Sequence, residues 1–222
     1  MFPLKKPFFL SLPNLLGSAL IGVLVCLPFT AVAGVYNDLI SAAESGDAPR
    51  MAELLARGAD PDTPDQHSNT LLMIAVREKS PALVKVLLDA GAKVNQRNRH
   101  GETAIMLASL QGEADIVRQL HSKGASINHK GWTPLLYAAT NGHEKVVQLL
   151  LELGAAIDDT SDNGTSPLMM AVRGGHLAAA EVLLKNGANP NIENEVNGTA
   201  LRWATNKEQN LIDLLKRYGA RR

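Results

Sequence analysis

Six Gly-Ala pairs, at 58–59, 91–92, 124–125, 154–155, 187–188 and 219–220, cut most of this chain into units of about 33 residues, the spacing of a repeat architecture. Five of the units also open alike, at Thr70-Leu71-Leu72, Thr103-Ala104-Ile105, Thr133-Pro134-Leu135, Ser166-Pro167-Leu168 and Thr199-Ala200-Leu201. Each opening has a physical reason. The Thr or Ser hydroxyl accepts a hydrogen bond from an orphan N–H of the first helical turn. Proline suits the next position, where no N–H is needed. A small residue recurs inside the first helix at Ala42, Ala75, Ala108, Ala138, Ala171 and Ala204, which lets neighbouring helices approach. A second helix carries an apolar stripe through Leu54-Leu55, Val86-Leu87-Leu88, Leu149-Leu150 and Val182-Leu183-Leu184. The closing glycines suit the left-handed turn that ends a helix. A unit this short cannot bury its apolar face alone, so the core must form between stacked units. With 222 residues, 45% apolar and only 4% aromatic, that core is built mainly of Leu, Val and Ala.

The Thr-Pro-Leu openings, the Asn141-Gly142-His143-Glu144 turn and the Gly-Ala closings at fixed offsets resemble the ankyrin repeat. The resemblance implies an all-α solenoid of about six helix-turn-helix units joined by short hairpin-type connections. The units run over about 36–67, 68–100, 101–130, 131–163, 164–196 and 197–222. One departure falls between Thr103 and Thr133, where the period is three residues short within Ile127-Asn128-His129-Lys130. One connecting finger is therefore expected to be stunted. His121 stands where the outer helix otherwise carries its second Leu, and is expected to be a partly buried, hydrogen-bonded core residue. The first and last units are expected to act as caps.

Residues 1–33 differ in kind. Lys5 and Lys6, the apolar run Leu15–Leu27, Pro28 and the small-x-small triplet Ala31-Val32-Ala33 follow the order of a cleaved export signal, with cleavage between Ala33 and Gly34. The ankyrin-repeat domain is then 34–222, in a bacterial periplasm or secreted. The alternative is an uncleaved anchor over 15–35, just long enough to span a bilayer. Cys26 is the one cysteine and lies in this segment after Val25, against lipidation. Without it the chain has no disulfide, thiolate metal site or cysteine nucleophile.

The balance of 22 basic and 22 acidic residues gives no field that would draw the chain to nucleic acid. No catalytic constellation stands out. His143 and His176 belong to the repeat pattern. His67, His100 and His129 belong to the finger tips, where with Asp62 or Asp65 they lack the spacing of a zinc site. Asp158, Asp159 and Asp162 lack the ordered ligands of a calcium loop. Asn163-Gly164-Thr165 and Asn197-Gly198-Thr199 match a glycosylation acceptor, but Asn-Gly is also the turn the repeat needs. No metal, cofactor, small-molecule substrate or enzymatic activity is expected, and a metal-dependent activity of the tip residues stands as the alternative. The resemblance implies a scaffold that grips a protein partner with finger tips and inner helices; a secreted effector would use the same surface on a foreign protein. The corresponding positions are Gln66, His67, Asn69, Arg77 and Glu78, then Arg97, Arg99, His100, Glu102, Leu110 and Gln111. They continue with Trp132, Thr140, Asn141, Asp162, Asn163 and Arg173, and extend to Glu195, Trp203, Asn206 and Lys207. Trp132 is expected either to face the groove or to lie flat on the next repeat. Lys93, Arg97, Arg99, His100 and Lys130 make the early fingers basic; Asp158, Asp159, Asp162, Glu193 and Glu195 make the late ones acidic.

The export reading predicts a mature chain beginning Gly34-Val35-Tyr36-Asn37. N-terminal sequencing of the protein recovered from cells should read those residues; an intact Met1 in the membrane fraction would favour the anchor.

Overall fold

The computed structural model describes residues 29–204 and 209–221; the apolar part of the export segment lies outside them. Among the described residues the chain forms helices in antiparallel pairs. They are α1 (Phe29–Glu44) with α2 (Ala48–Ala56), α3 (Leu71–Arg77) with α4 (Pro81–Asp89), and α5 (Ala104–Gln111) with α6 (Ala114–Ser122). They continue as α7 (Pro134–Thr140) with α8 (Glu144–Glu152), α9 (Pro167–Gly174) with α10 (Leu177–Lys185), and α11 (Ala200–Trp203) with α12 (Gln209–Arg217). The odd-numbered helices pack on one another in an inner row and the even-numbered ones in an outer row, making a two-layer solenoid. The Ala33–Gly34 junction lies within α1. No helix among the described residues is long and apolar enough to cross a membrane.

The helix boundaries follow from the capping chemistry. Thr70, Thr133, Ser166 and Thr199 accept at their hydroxyls from the N–H groups of Met73, Leu136, Met169 and Arg202. Thr103 departs from the expectation: its buried hydroxyl has no partner among the described residues, and its own N–H is met by Sδ of Met106 at 3.2 Å. At the other end of each unit the alanine after the closing glycine donates back five residues, as from Ala92 to the carbonyl of Leu87 and from Ala155 to that of Leu150. This satisfies carbonyls that the helix leaves open.

The alanines of the inner row are all buried, from Ala42 at 3% exposed to Ala204 at 0%. The apolar stripe of the outer row meets them in one continuous core that runs from Leu39 to Leu215. His121 is half-buried as expected, but its ring makes no hydrogen bond among the described residues. The equivalent Leu55 and Leu151 are also half-buried, whereas Leu88 and Leu184 at the same place in their units are buried.

His143 and His176 bind successive units together. The Nε2–H of His143 donates to the carbonyl of Leu110 at 2.9 Å, and that of His176 to Thr140 at 3.0 Å. Each ring lies against a glycine of the preceding turn; a Cβ on Gly142, which has φ 70°, would come within 2.4 Å of His176. At the first end Arg50 pairs with Asp38 (3.1 Å) and Glu53 (2.8 Å), and α12 buries Leu211, Leu214 and Leu215 while its other face is polar. Charged and polar groups thus cover part of both ends, as a terminal repeat requires, although Val35 and Tyr218 remain exposed there.

Because the core is shared between units, Leu150, fully buried, tests the stacking. Leu150→Ala should lower unfolding stability by about 2–5 kcal/mol, read from denaturant melts followed by far-ultraviolet circular dichroism. A loss under about half a kcal/mol would contradict a packed site, since large-to-small core changes cost more than that.

Candidate protein-binding groove

The loops between units are fingers, and most are built around one side chain. Asp65 Oδ1 accepts from the N–H groups of His67 (2.7 Å) and Asn69 (2.8 Å). Asn98 Oδ1 does the same for His100 (2.9 Å) and Glu102 (3.0 Å), and Asn194 Oδ1 for Val196 (3.3 Å) and Gly198 (2.7 Å). A backbone clasp closes four of the fingers, from Asp65 to Asn69, Asn98 to Glu102, Ser161 to Thr165 and Asn194 to Gly198. At 127–131 no such clasp forms, which is the stunted finger expected from the three missing residues. Burial works against ionised Asp65, but the side-chain and backbone hydrogen bonds from Asn69, then the backbone of His67, outweigh it and hold its carboxyl below the usual range.

At the finger bases a second device joins each unit to the next. Asp62 accepts from Lys93 N–H (2.7 Å), Asn95 from Ser126 (2.8 Å), Asn128 from Ala156 (3.0 Å), Asp158 from Asn189 (3.0 Å) and Asn191 from Arg221 (2.7 Å). The three asparagines also donate, to the closing-glycine carbonyls of Gly124, Gly154 and Gly219. Sequence reasoning missed this ladder, although its signal was readable: an Asp or Asn stands four residues after five of the closing glycines. Asp62 and Asp158, acidic tip residues that lack the spacing of a metal site, hold the next repeat. Lys93, counted among the basic charges, is neutralised by Asp62 at 3.0 Å. No group of three or more His, Cys, Asp or Glu among the described residues is placed to hold a metal ion.

Six of the residues assigned to partner contact come together at one place. His67, Asn69, Arg77, Arg99, His100 and Glu102, with Asn98 and Leu107, line a cavity of about 390 Å³ between the first two fingers and the inner helices α3 and α5. Their parts in it differ. Asn69 is only 7% exposed, donating to Asp65 and accepting from Asn98 Nδ2 at 3.1 Å, so it shapes the fingers rather than meeting a partner. Arg99 Nε donates to the carbonyl of His67 at 3.0 Å, and its guanidinium also touches the His67 ring. Glu102 is held on both oxygens, by Tyr137 Oη–H at Oε1 (3.1 Å) and by Asn98 Nδ2 at Oε2 (2.9 Å). Arg77 lies exposed at the end of α3.

The other assigned positions spread along the same side. Gln111 and Asn141 also tie inner helices together, donating to the carbonyls of Arg77 (3.1 Å) and Leu110 (2.8 Å). Thr140 donates to its own helix at Leu136, and Leu110 is half-buried. Gln66, Glu78, Arg97, Asp162, Asn163, Arg173 and Glu195 are exposed, although Asn163 Oδ1 accepts from Ser161 and Thr165. The Arg173 guanidinium stands 6.0 Å from the Trp203 ring. Asn206 and Lys207 lie outside the described residues.

Trp132 finds its aromatic partner within its own repeat. The indole packs on Tyr137 of its own repeat, with centroids 5.2 Å apart and planes at 49°, and remains 39% exposed. Tyr137 then reaches back to Glu102, so Trp132 and the cavity belong to one connected surface.

A profile described as "Ankyrin repeats (3 copies)" matches residues 39–130, 72–161, 128–194 and 153–221. The chain therefore belongs to the ankyrin-repeat family, whose members generally act as protein-interaction scaffolds. Among solved structures it is similar to the human ASB11 ankyrin repeat domain, at 27% identity and TM-score 0.77, covering 82% of this chain and 84% of that one. It is also similar to the ankyrin repeat domain of Bcl-3, described as a unique member of the IkappaB family, at 26% identity and TM-score 0.67, covering 81% and 97%. A comparison with curated proteins finds no match.

The Tyr137 phenol supplies a test of the connection between Trp132 and the cavity. Burial, and then the charge and hydrogen bond of Glu102, push it up to about 12. Since the folded value is raised above the ordinary one of about 10, its contribution to stability is complete below that pH and is lost as pH rises toward the folded value. One phenol of the native protein should titrate near 12 in ultraviolet absorbance, and Tyr137→Phe should remove that component.

Proposed function

We propose that this chain is an exported ankyrin-repeat scaffold that binds a protein partner along the fingers and the adjoining side of the inner helices, without catalysing a reaction. The observation that carries the reading is the continuity of the surface. A half-open cavity with two arginines is joined through Glu102 and Tyr137 to an exposed indole, all outside the structural ladder at the finger bases. A Trp half-exposed on an aromatic support is a large, rigid contact with little conformational freedom to lose, the kind of residue that dominates interface energetics. Export to a periplasm or to the medium is supported by Lys5, Lys6, the apolar run and Ala31-Val32-Ala33. An effector role for the same surface would be distinguished by fractionation, which would find the protein outside the producing cell.

Crosslinking and capture from the native envelope should supply the partner. Trp132→Ala should then weaken binding by more than about 1 kcal/mol in titration calorimetry, the usual mark of a hot spot, with helical signal and melting unchanged because the indole lies outside the core. Wild-type affinity in that variant would move the interface off this surface.

A further inference from the structure

Building on the groove reading, we infer that the groove is electrically polar and takes an extended segment of its partner whose acidic side chains enter the Arg77–Arg99 cavity and whose basic side chains lie over the fourth and fifth fingers. The fixed charges of the first two and last two fingers have opposite signs. At the cavity, Arg77 and Arg99 face the space, and the carboxylate there, Glu102, has both oxygens engaged by Tyr137 and Asn98. Arg99 is held by hydrogen bonds to the neighbouring finger, so its guanidinium is already positioned. A planar guanidinium held in place suits a carboxylate, because little side-chain freedom is lost on pairing. At the far end Asp159, Asp162, Glu193 and Glu195 make no ion pair among the described residues, in contrast to Asp62 and Asp89, which are each met by lysine. Asp159 and Asp162 also border a cavity of about 550 Å³ beside the stunted finger, with His129 and Lys130 on its opposite wall, so a basic side chain enters it from the side of the fourth finger.

The same pattern argues against a uniform polyanion. Such a chain would gain at the first two fingers and be repelled at the last two. The ends are three inner-helix steps apart, about 27 Å at common interaxial distances. An extended segment of about eight residues spans that gap. The separation exceeds the Debye length of about 8 Å at physiological salt, so the two ends act independently and a charge of the wrong sign is disfavoured at either end.

The probe is a synthetic peptide with a Glu block and a Lys block separated by about eight Gly and Ser residues, matching the span above. Its control has the same composition with Glu and Lys interleaved. Fluorescence anisotropy at low ionic strength should give the block peptide at least about fivefold tighter binding than the control, the scale of a few partly exposed charge pairs. A photo-crosslinker at its Glu end should label 65–77 and 98–107, and one at its Lys end 159–163 and 193–196. Arg77→Glu should remove the preference for the block peptide; Arg77 is exposed and its side chain supports no other contact given above, and circular dichroism would confirm folding. Equal affinity for the two peptides, no binding of either, or Glu-end crosslinks on the late fingers would each overturn the polarity. So would salt-sensitive self-association of the chain through these fingers in sedimentation, which would make a second copy the occupant. None of these outcomes touches the groove reading itself, which fails only if Trp132→Ala leaves affinity for the captured partner intact.

Discussion

The inner helices α3, α5, α7, α9 and α11 have only four to eight residues, most of them buried, and this is the constraint on which the rest of the molecule depends. In α3 every residue from Leu71 to Val76 is buried, and in α5 every residue from Ala104 to Ser109. Over those residues the two helices have no solvent face, and they are too short to persist alone, since isolated helices below about 12–15 residues are marginal in water. They exist because an inner helix stands on each side and an outer helix behind. Stability is therefore a property of adjacent pairs, as expected for a solenoid whose units contact only their neighbours.

Apolar stacking is not directional enough to hold successive units in one register, and polar side chains supply the direction. The histidines at 143 and 176 reach back to an inner-helix carbonyl, and the Asp and Asn side chains at the finger bases reach forward to an N–H about one repeat on. The ladder continues through Asn128 even though the third finger has lost its clasp. A deletion of three residues is thus absorbed at the tip, where no core residue depends on the finger, while the base keeps the spacing of the solenoid.

The same economy explains why the groove holds fewer free groups than its residue types suggest. Gln111 and Asn141 satisfy backbone carbonyls at the ends of the preceding inner helices, and Asn69 and Asn98 satisfy each other and their fingers. A buried polar group without a partner costs about 1–3 kcal/mol, so the amides nearest the backbone are drawn into the structure. What remains available is what stands farther out: the guanidinium groups of Arg77 and Arg99, the carboxylates of the late fingers and the outer face of Trp132.

The sequence by itself determined the repeat, its caps and its core, because these depend on spacing and residue type: hydroxyl before helix, small residue within it, glycine after it. It also located the stunted finger, since a missing clasp follows from a count of residues. It could not say which polar residues would be free. The ladder at the finger bases was visible as an Asp or Asn four residues after glycine, but its meaning depends on a partner about 30 residues away, one repeat on. The pose of Trp132 was decided by Tyr137, and the neutralisation of Lys93 by Asp62. Each of these pairings joins groups brought together by the turn of a finger or the stacking of units. A hydrogen bond or ion pair acts over a few ångströms of space, and only the tertiary structure decides which side chains are that near.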